Sequence, residues 1–228
     1  RKVRTHRTRE AILFGCAGFL APDLHHKAPM ESRDYLEALW HDWWRVRQDN
    51  EVDPSRALEW QMHGARPTNH PHRRLGALAA LSTEWPRIAT PAQRPSQARL
   101  RRFADRLGAL THPFWSSHYT LRSRATGSEV SLVGKARVHE VLANYYIPSW
   151  YRTDPGAAWQ AYCNLPAGTA SDPVKRAIIR LFGQRRDRRS FHRRLWQHQA
   201  LLQIYRDFCL EDSSDCEECP FPEQLGEW

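Results

Sequence analysis

Lysine is scarce in this chain. Only Lys2, Lys27, Lys135 and Lys175 occur among 34 basic residues, so nearly all of the positive charge is arginine. Arginine suits phosphate, because its planar fork presents paired donors, although a GC-rich genome gives the same bias without any function. Long apolar runs are also missing. The longest, residues 11–21, is too short to cross a bilayer and lacks a cleavage signal after a charged start. The cysteines number five, an odd set. That argues against a secreted disulfide framework and for a reducing, cytoplasmic setting. There is no glycine-rich phosphate loop, no His-x-x-x-His on a helix and no nucleophile motif. Catalysis is left with one loose grouping, Glu59, His63 and His72 near several arginines, and nothing in its spacing demands an acid/base role.

What is present describes a folded protein. The 228 residues are 41% hydrophobic and 26% charged, enough to bury a sizeable core as one domain, or one domain with an appendage. Ten Trp supply large packing anchors. The formal charge of +9 and a pI near 9.7 point to an anionic partner, with DNA or RNA the default candidate.

The periodicity predicts a mainly α fold: a single multi-helix domain over residues 1–210, then a cysteine-containing acidic tail over 211–228. Residues 1–9 read as a solvated basic arm ahead of a helix from about Glu10 to Leu20, in which Gly15 and Gly18 permit close packing. Asp23, His25 and His26 read as a solvated loop cluster rather than metal ligands. Ser32 reads as the N-cap of a helix to about Gln48, with Leu36, Leu39, Trp40, Trp43 and Trp44 inward and His41 and Asp42 outward. Breaks are expected at Pro86, Pro91 and Pro95. Ser96 then caps an arginine-rich amphipathic helix to about Leu110, with Leu100, Phe103, Leu107 and Leu110 buried. Phe114, Trp115 and Tyr119 suggest an aromatic wedge, and residues 130–133 a short strand. A helix over Gly134–Ile147 is expected to close at Pro148. Asp154-Pro155 and Asp172-Pro173 are helix starts. Ser190 is expected to cap a last helix, from Phe191 to about Leu210.

The stretch from Gln61 to Leu81 organises the rest. Pro67 and Pro71 each remove a backbone donor and push the preceding residue into extended conformations, so the first half cannot be a regular helix. The second half, rich in Ala and Leu, is a helix former. Arg66, His70, His72, Arg73 and Arg74 gather at the joint, where a helix start presents free N–H groups and an anion could be held. The competing reading is structural, with the arginines lying over the core and capping carbonyls. Asn144 is expected near a buried seam, hydrogen-bonded to the entry at Arg66 to Pro71.

These residues also carry a resemblance. Arg66-Pro67-x-Asn69-x-Pro71-x-x-Arg74-Leu75 resembles the signature of an uncharacterised bacterial family, domain of unknown function 2851. Leu13-Phe14-Gly15-Cys16-Ala17-Gly18-Phe19-Leu20, the segment Gly134 to Pro148 with Asn144, and Gln199 to Cys219 are similar to three further stretches of that family, in its order. Cys16 stands where the family pattern has glutamine, so that position is not taken as a family ligand. Asn69, Pro71 and Asn144 are read as structural. The resemblance implies that full-length members carry an N-terminal segment similar to a PD-(D/E)XK nuclease core, none of whose residues lie in this sequence. The first residue is Arg1 rather than Met, so either the sequence begins within a longer protein or its N-terminal residues are missing.

Two more stretches carry candidate chemistry. Arg185, Arg186, Arg188 and Arg189 form the densest positive run, and Arg193 and Arg194 follow. Basic residues in the first turn of the last helix would oppose its dipole, a cost that a bound phosphate would relieve; the alternative is a solvated loop. Cys216-x-x-Cys219 has half-site spacing for zinc, and Cys209 could supply a third thiolate. An iron–sulfur cluster is the alternative, because some nucleases of the implied class use clustered cysteines. The functional expectation is a basic helical nucleic-acid-binding module, companion to a nuclease-like core. The alternative is a protein-interaction or scaffold domain with structural arginines.

Overall fold

Helices dominate, as the apolar periodicity predicts. A computed structural model describes residues 6–50, 59–210 and 219–226, and only the backbone of residues 186–188, 222 and 225. Among the described residues there is no strand, only an isolated antiparallel bridge between Pro166 and Arg194. The expected strand at 130–133 is therefore irregular chain. The described chain gathers into two compact units, one from residues 1–90 and 105–134, the other from residues 91–104 and 135–228.

The first unit is built on α1 (His6–Cys16), α2 (Met30–Val46) and α3 (Pro71–Ala89), with α1 packed on both of the others. Its core includes Phe14, Leu36, Leu39 and Leu75 around a fully buried Trp115. Trp115 lies face to face with Phe14, ring centroids 5.3 Å apart and planes 3° from parallel. It also meets bare backbone: a Cβ at Gly76 would sit 2.4 Å from the Trp115 ring. Residue 76 must lack a side chain for α3 to reach this wedge. Gly15 plays the same part for α1 against Trp43.

Several boundaries differ from the sequence expectation, each for a local reason. α1 starts at His6, so the end of the basic arm is helical, with Thr8 and Glu10 buried. It ends four residues early because Gly18 turns into the left-handed region (φ 72°). α2 starts at Met30 behind Pro29, which puts Ser32 inside the helix and buried rather than at its cap. Asp42 is buried rather than outward, held by Arg7 at 2.7 Å and Arg45 at 3.0 Å. Trp44 is exposed instead, with the Arg47 guanidinium 3.7 Å above its ring. Pro86 does not break α3. It removes the donor that would reach the Ser82 carbonyl, and that oxygen accepts from Arg9 at 3.5 Å instead.

The other unit starts at Pro91 and takes in the first eight residues of α4 (Gln97–Gly108). Ser96 caps α4 as expected, its hydroxyl accepting from the Arg99 amide at 3.4 Å. α5 (Lys135–Val141) runs through a wide turn at Leu142–Tyr146 into α6 (Ile147–Tyr151). Pro148 therefore opens α6 rather than closing a helix, and the wide turn absorbs its missing donor. α7 (Pro155–Asn164) starts on Asp154, whose carboxylate accepts from the Ala157 amide at 3.0 Å. α8 (Asp172–Phe182) and α9 (Leu195–Ile204) pack together through Val174, Ala177, Ile178 and Leu201. α9 starts at Leu195, not after Ser190, because residues 186–192 form a tight 3₁₀ segment. A short α10 (Phe221–Leu225) follows. No helix among the described residues is long and apolar enough to cross a membrane.

Candidate nucleic-acid interface

The joint between the proline-kinked entry and α3 is concave. The prolines make it so. Pro67 sets a single 3₁₀ turn over Pro67–Asn69, closed by Asn69 N–H donating to the Arg66 carbonyl at 2.8 Å. Pro71 then opens α3, where its missing N–H is one that a helix start leaves unpaired anyway. The next amide, of His72, donates to His70 Nδ1 at 3.3 Å. The helix start thus presents fewer free N–H groups than the sequence suggests.

Beside this joint lies an open groove of about 490 Å³, lined by Trp60, Gln61, Arg66, Asn69, Pro71 and Arg74 among others. Arg66, Asn69 and Arg74 are exposed, and Pro71 is buried beneath them. Neither Arg66 nor Arg74 has a carboxylate within ion-pair distance among the described residues. Trp60 is the aromatic element. Its indole N–H donates to the Ala17 carbonyl at 3.0 Å, and its ring leans on Phe19 at 5.0 Å. Phe19 in turn meets His72 edge-on at 4.4 Å.

Arg73, one residue from Arg74, does something else. It is 2% exposed, with its guanidinium enclosed in the first unit. It donates to the carbonyls of Trp115, of His118 at 2.7 Å, of Val130 at 2.7 Å and of Ser131 at 3.3 Å. The Tyr119 ring lies 5.4 Å from it. Burial lowers its affinity for the proton. Among the described residues no carboxylate balances this cation; four carbonyl dipoles do. Arg73 therefore cannot reach a phosphate and leaves the expected anion-binding set. α-Helical spacing explains the split: successive residues point about 100° apart, so Arg73 and Arg74 cannot share a face.

His72 is likewise committed. Its Nδ1 accepts the Leu121 amide at 3.2 Å. Burial, then the neighbouring His70 and Arg122, lower its pKa to about 4. It is neutral at physiological pH with one nitrogen occupied, a poor position for the acid/base role imagined with Glu59 and His63.

A second polar cluster, invisible in the sequence, lies deeper in the same unit. Glu10 accepts from the Tyr35 hydroxyl at 2.6 Å and the Trp115 indole at 3.0 Å, with His112 Nε2 at 3.4 Å. His112 Nδ1 accepts the amides of Phe114 and Trp115, so its proton sits on Nε2 and faces Glu10. Burial, then Glu10, raise the pKa of Tyr35 well above its ordinary value. Glu10 Oε1 gathers all three of these contacts, and the cluster reads as a pin between α1, α2 and the wedge.

The remaining predicted site residues lie in the other unit. Arg185, Arg189 and Arg193 are exposed, with Arg185 5.9 Å from the Phe191 ring centroid. Arg194 donates to the Asn164 carbonyl at 2.8 Å while its own amide donates to Gln197 at 2.9 Å. With α9 starting at Leu195, none of these arginines lies within its first turn. The side chains of Arg186 and Arg188 lie outside the description. Asn144 is exposed and donates to the Glu140 carbonyl one turn back at 2.8 Å. That corrects the expected buried position: the side chain is spent on its own helix, at the wide turn. Cys209 and Cys219 are partly buried, and Cys216 lies outside the described residues. Among the described residues no three His, Cys, Asp or Glu side chains cluster to hold a metal, so the zinc or iron–sulfur proposal turns on Cys216.

Trp60 and Gln61 were not among the sequence candidates. The signal was present, a tryptophan in a polar setting just ahead of a proline-rich entry, but a lone Trp is ordinarily core. Comparison with known proteins gives one result. A family model described as a protein of unknown function (DUF2851) matches residues 1–164, which takes in three of the four resembling stretches and leaves Gln199 to Cys219 outside. No curated protein and no solved structure matches.

Proposed function

The chain belongs to the DUF2851 family of proteins of unknown function, and from that starting point we propose that it is a basic helical module that binds nucleic acid through its phosphates. The observation that carries this reading is the pair Arg66 and Arg74, exposed on the rim of a groove. Arg7, Arg45, Arg87 and Arg137, by contrast, are neutralised by carboxylates. Two exposed guanidinium groups with no carboxylate partner among the described residues, on a chain of net charge +9, favour a polyanion. In a longer protein carrying a nuclease-like segment, such a module would hold the strand for that segment.

The test is fluorescence anisotropy with a labelled oligonucleotide and the full chain, at roughly 50 and 200 mM salt. Affinity is expected to fall steeply with salt. Reversing both Arg66 and Arg74 to Glu is expected to weaken binding and to reduce the log–log salt slope by about 1.4 for a single strand. Absence of binding at low salt would leave the other reading, a protein-interaction domain. That reading has its own support in the exposed Trp159, Ile179 and Leu210.

A further inference from the structure

Resting on the nucleic-acid reading above, we propose that the groove takes an unpaired nucleotide, its base stacked on Trp60 and its flanking phosphates on Arg66 and Arg74, so that the preferred ligand is single-stranded. Phosphate binding alone needs only a convex basic surface. This site is concave and has an aromatic wall, and neither feature helps it grip a duplex, whose bases are stacked on one another and whose phosphates lie outermost. An unpaired base does offer a face, and stacking on an aromatic side chain tolerates any sequence.

Trp60 is suited to that part because it is held before the ligand arrives. Its N–H is tied to Ala17, and Phe19 supports one side of the ring. Phe19 is backed by His72, which the Leu121 amide fixes. The support runs from the groove wall into the core without a long flexible side chain, so little rotamer entropy is lost on binding. The volume of about 490 Å³ lies in the range of pockets for small organic molecules, enough for roughly one nucleotide and far short of a double helix. Gln61 and Asn69 reach the same space. Each amide offers both donor and acceptor, so the base edge can be met without selecting one base. The two arginines differ in how they are mounted. Arg66 precedes a proline-fixed turn, and Arg74 stands one helical turn into α3. Both guanidinium groups are exposed on the groove, where a passing backbone can meet them.

The experiment compares a homothymidine strand of about ten nucleotides, its ribose counterpart homouridine, and a DNA duplex of the same length, each against the full chain at low salt. A single strand of either sugar is expected to bind at least about tenfold more tightly than the duplex. Trp60→Leu is expected to lower single-strand affinity about fivefold or more and leave duplex affinity unchanged, while Trp60→Phe, which keeps an aromatic face, retains most of it. Because Trp60→Leu also removes a packing partner of Phe19, the unmodified chain provides a second readout. A bromouracil-substituted strand is irradiated in the complex and the attached peptide identified by mass spectrometry. Attachment at Trp60 or its groove neighbours supports the proposal. Duplex binding as tight as single-strand binding, or attachment confined to other parts of the chain, overturns it and leaves the nucleic-acid reading standing. No binding of any probe removes both.

Discussion

Arg73 and His72 are adjacent, both buried in part or whole, and they fail in different ways when disturbed. Replacing Arg73 by Met leaves four carbonyls without their donor, and each unmet buried group costs about 1–3 kcal/mol, so a loss of at least about 3 kcal/mol is expected. Arg73→Lys keeps the charge, but one nitrogen cannot span four oxygens, and a loss of about 1–3 kcal/mol is expected. Urea denaturation measures both, and wild-type stability in either variant would contradict the clasp described above. His72 acts through protons. Its folded pKa, about 4, lies below the ordinary 6.5. Between these values the unfolded chain binds the proton more readily than the folded one, so stability is complete above about pH 6.5 and declines as pH falls toward 4. The part-exposed ring limits that decline to about 1–3 kcal/mol. Denaturation curves across this window should flatten in His72→Gln, whose amide oxygen can still accept the Leu121 N–H. A variant with the wild-type slope would assign the acid sensitivity to carboxylates instead.

At the scale of elements, close approach decides the packing of the first unit. Gly76→Ala would place a methyl group 2.4 Å from the Trp115 ring. The ring has nowhere to retreat, since Phe14 stacks on its face and Glu10 holds its N–H. A loss of roughly 2–3 kcal/mol is expected despite the higher helix propensity of Ala, and thermal unfolding should show it. The sequence made some of this legible. The apolar stripe of α4, the Asp154-Pro155 start and the proline-kinked entry follow from local chemistry and appear as expected. What was not legible depends on partners far along the chain. Pro86 is tolerated because Arg9 serves the orphaned carbonyl, and Asp42 is inward because Arg7 meets it. Nothing within several residues of either position announces that. The groove was half legible: Arg66 and Arg74 stood out by type and spacing, Arg73 looked identical to them, and Trp60 looked like core.

For the molecule as a whole, charge and kinship point in compatible directions without overlapping completely. The family match ends at Asn164, the last residue of α7, so α8 and α9 with their own small core lie beyond it. The groove, by contrast, lies wholly inside it. Net charge acts at long range, and its signature is kinetic. Stopped-flow mixing with an oligonucleotide should show the association rate falling about tenfold or more between roughly 50 and 200 mM salt, with a smaller change in dissociation. A rate indifferent to salt would count against steering by the +9 surplus. The clasp on Arg73 has a consequence for how related sequences diverge. Its contacts at positions 130 and 131 are to main-chain oxygens, which every amino acid possesses. Those two places are therefore free to drift across relatives as far as this grip is concerned, while position 73 is not, and an arginine standing unchanged opposite a variable loop is the pattern of inheritance this fold should leave.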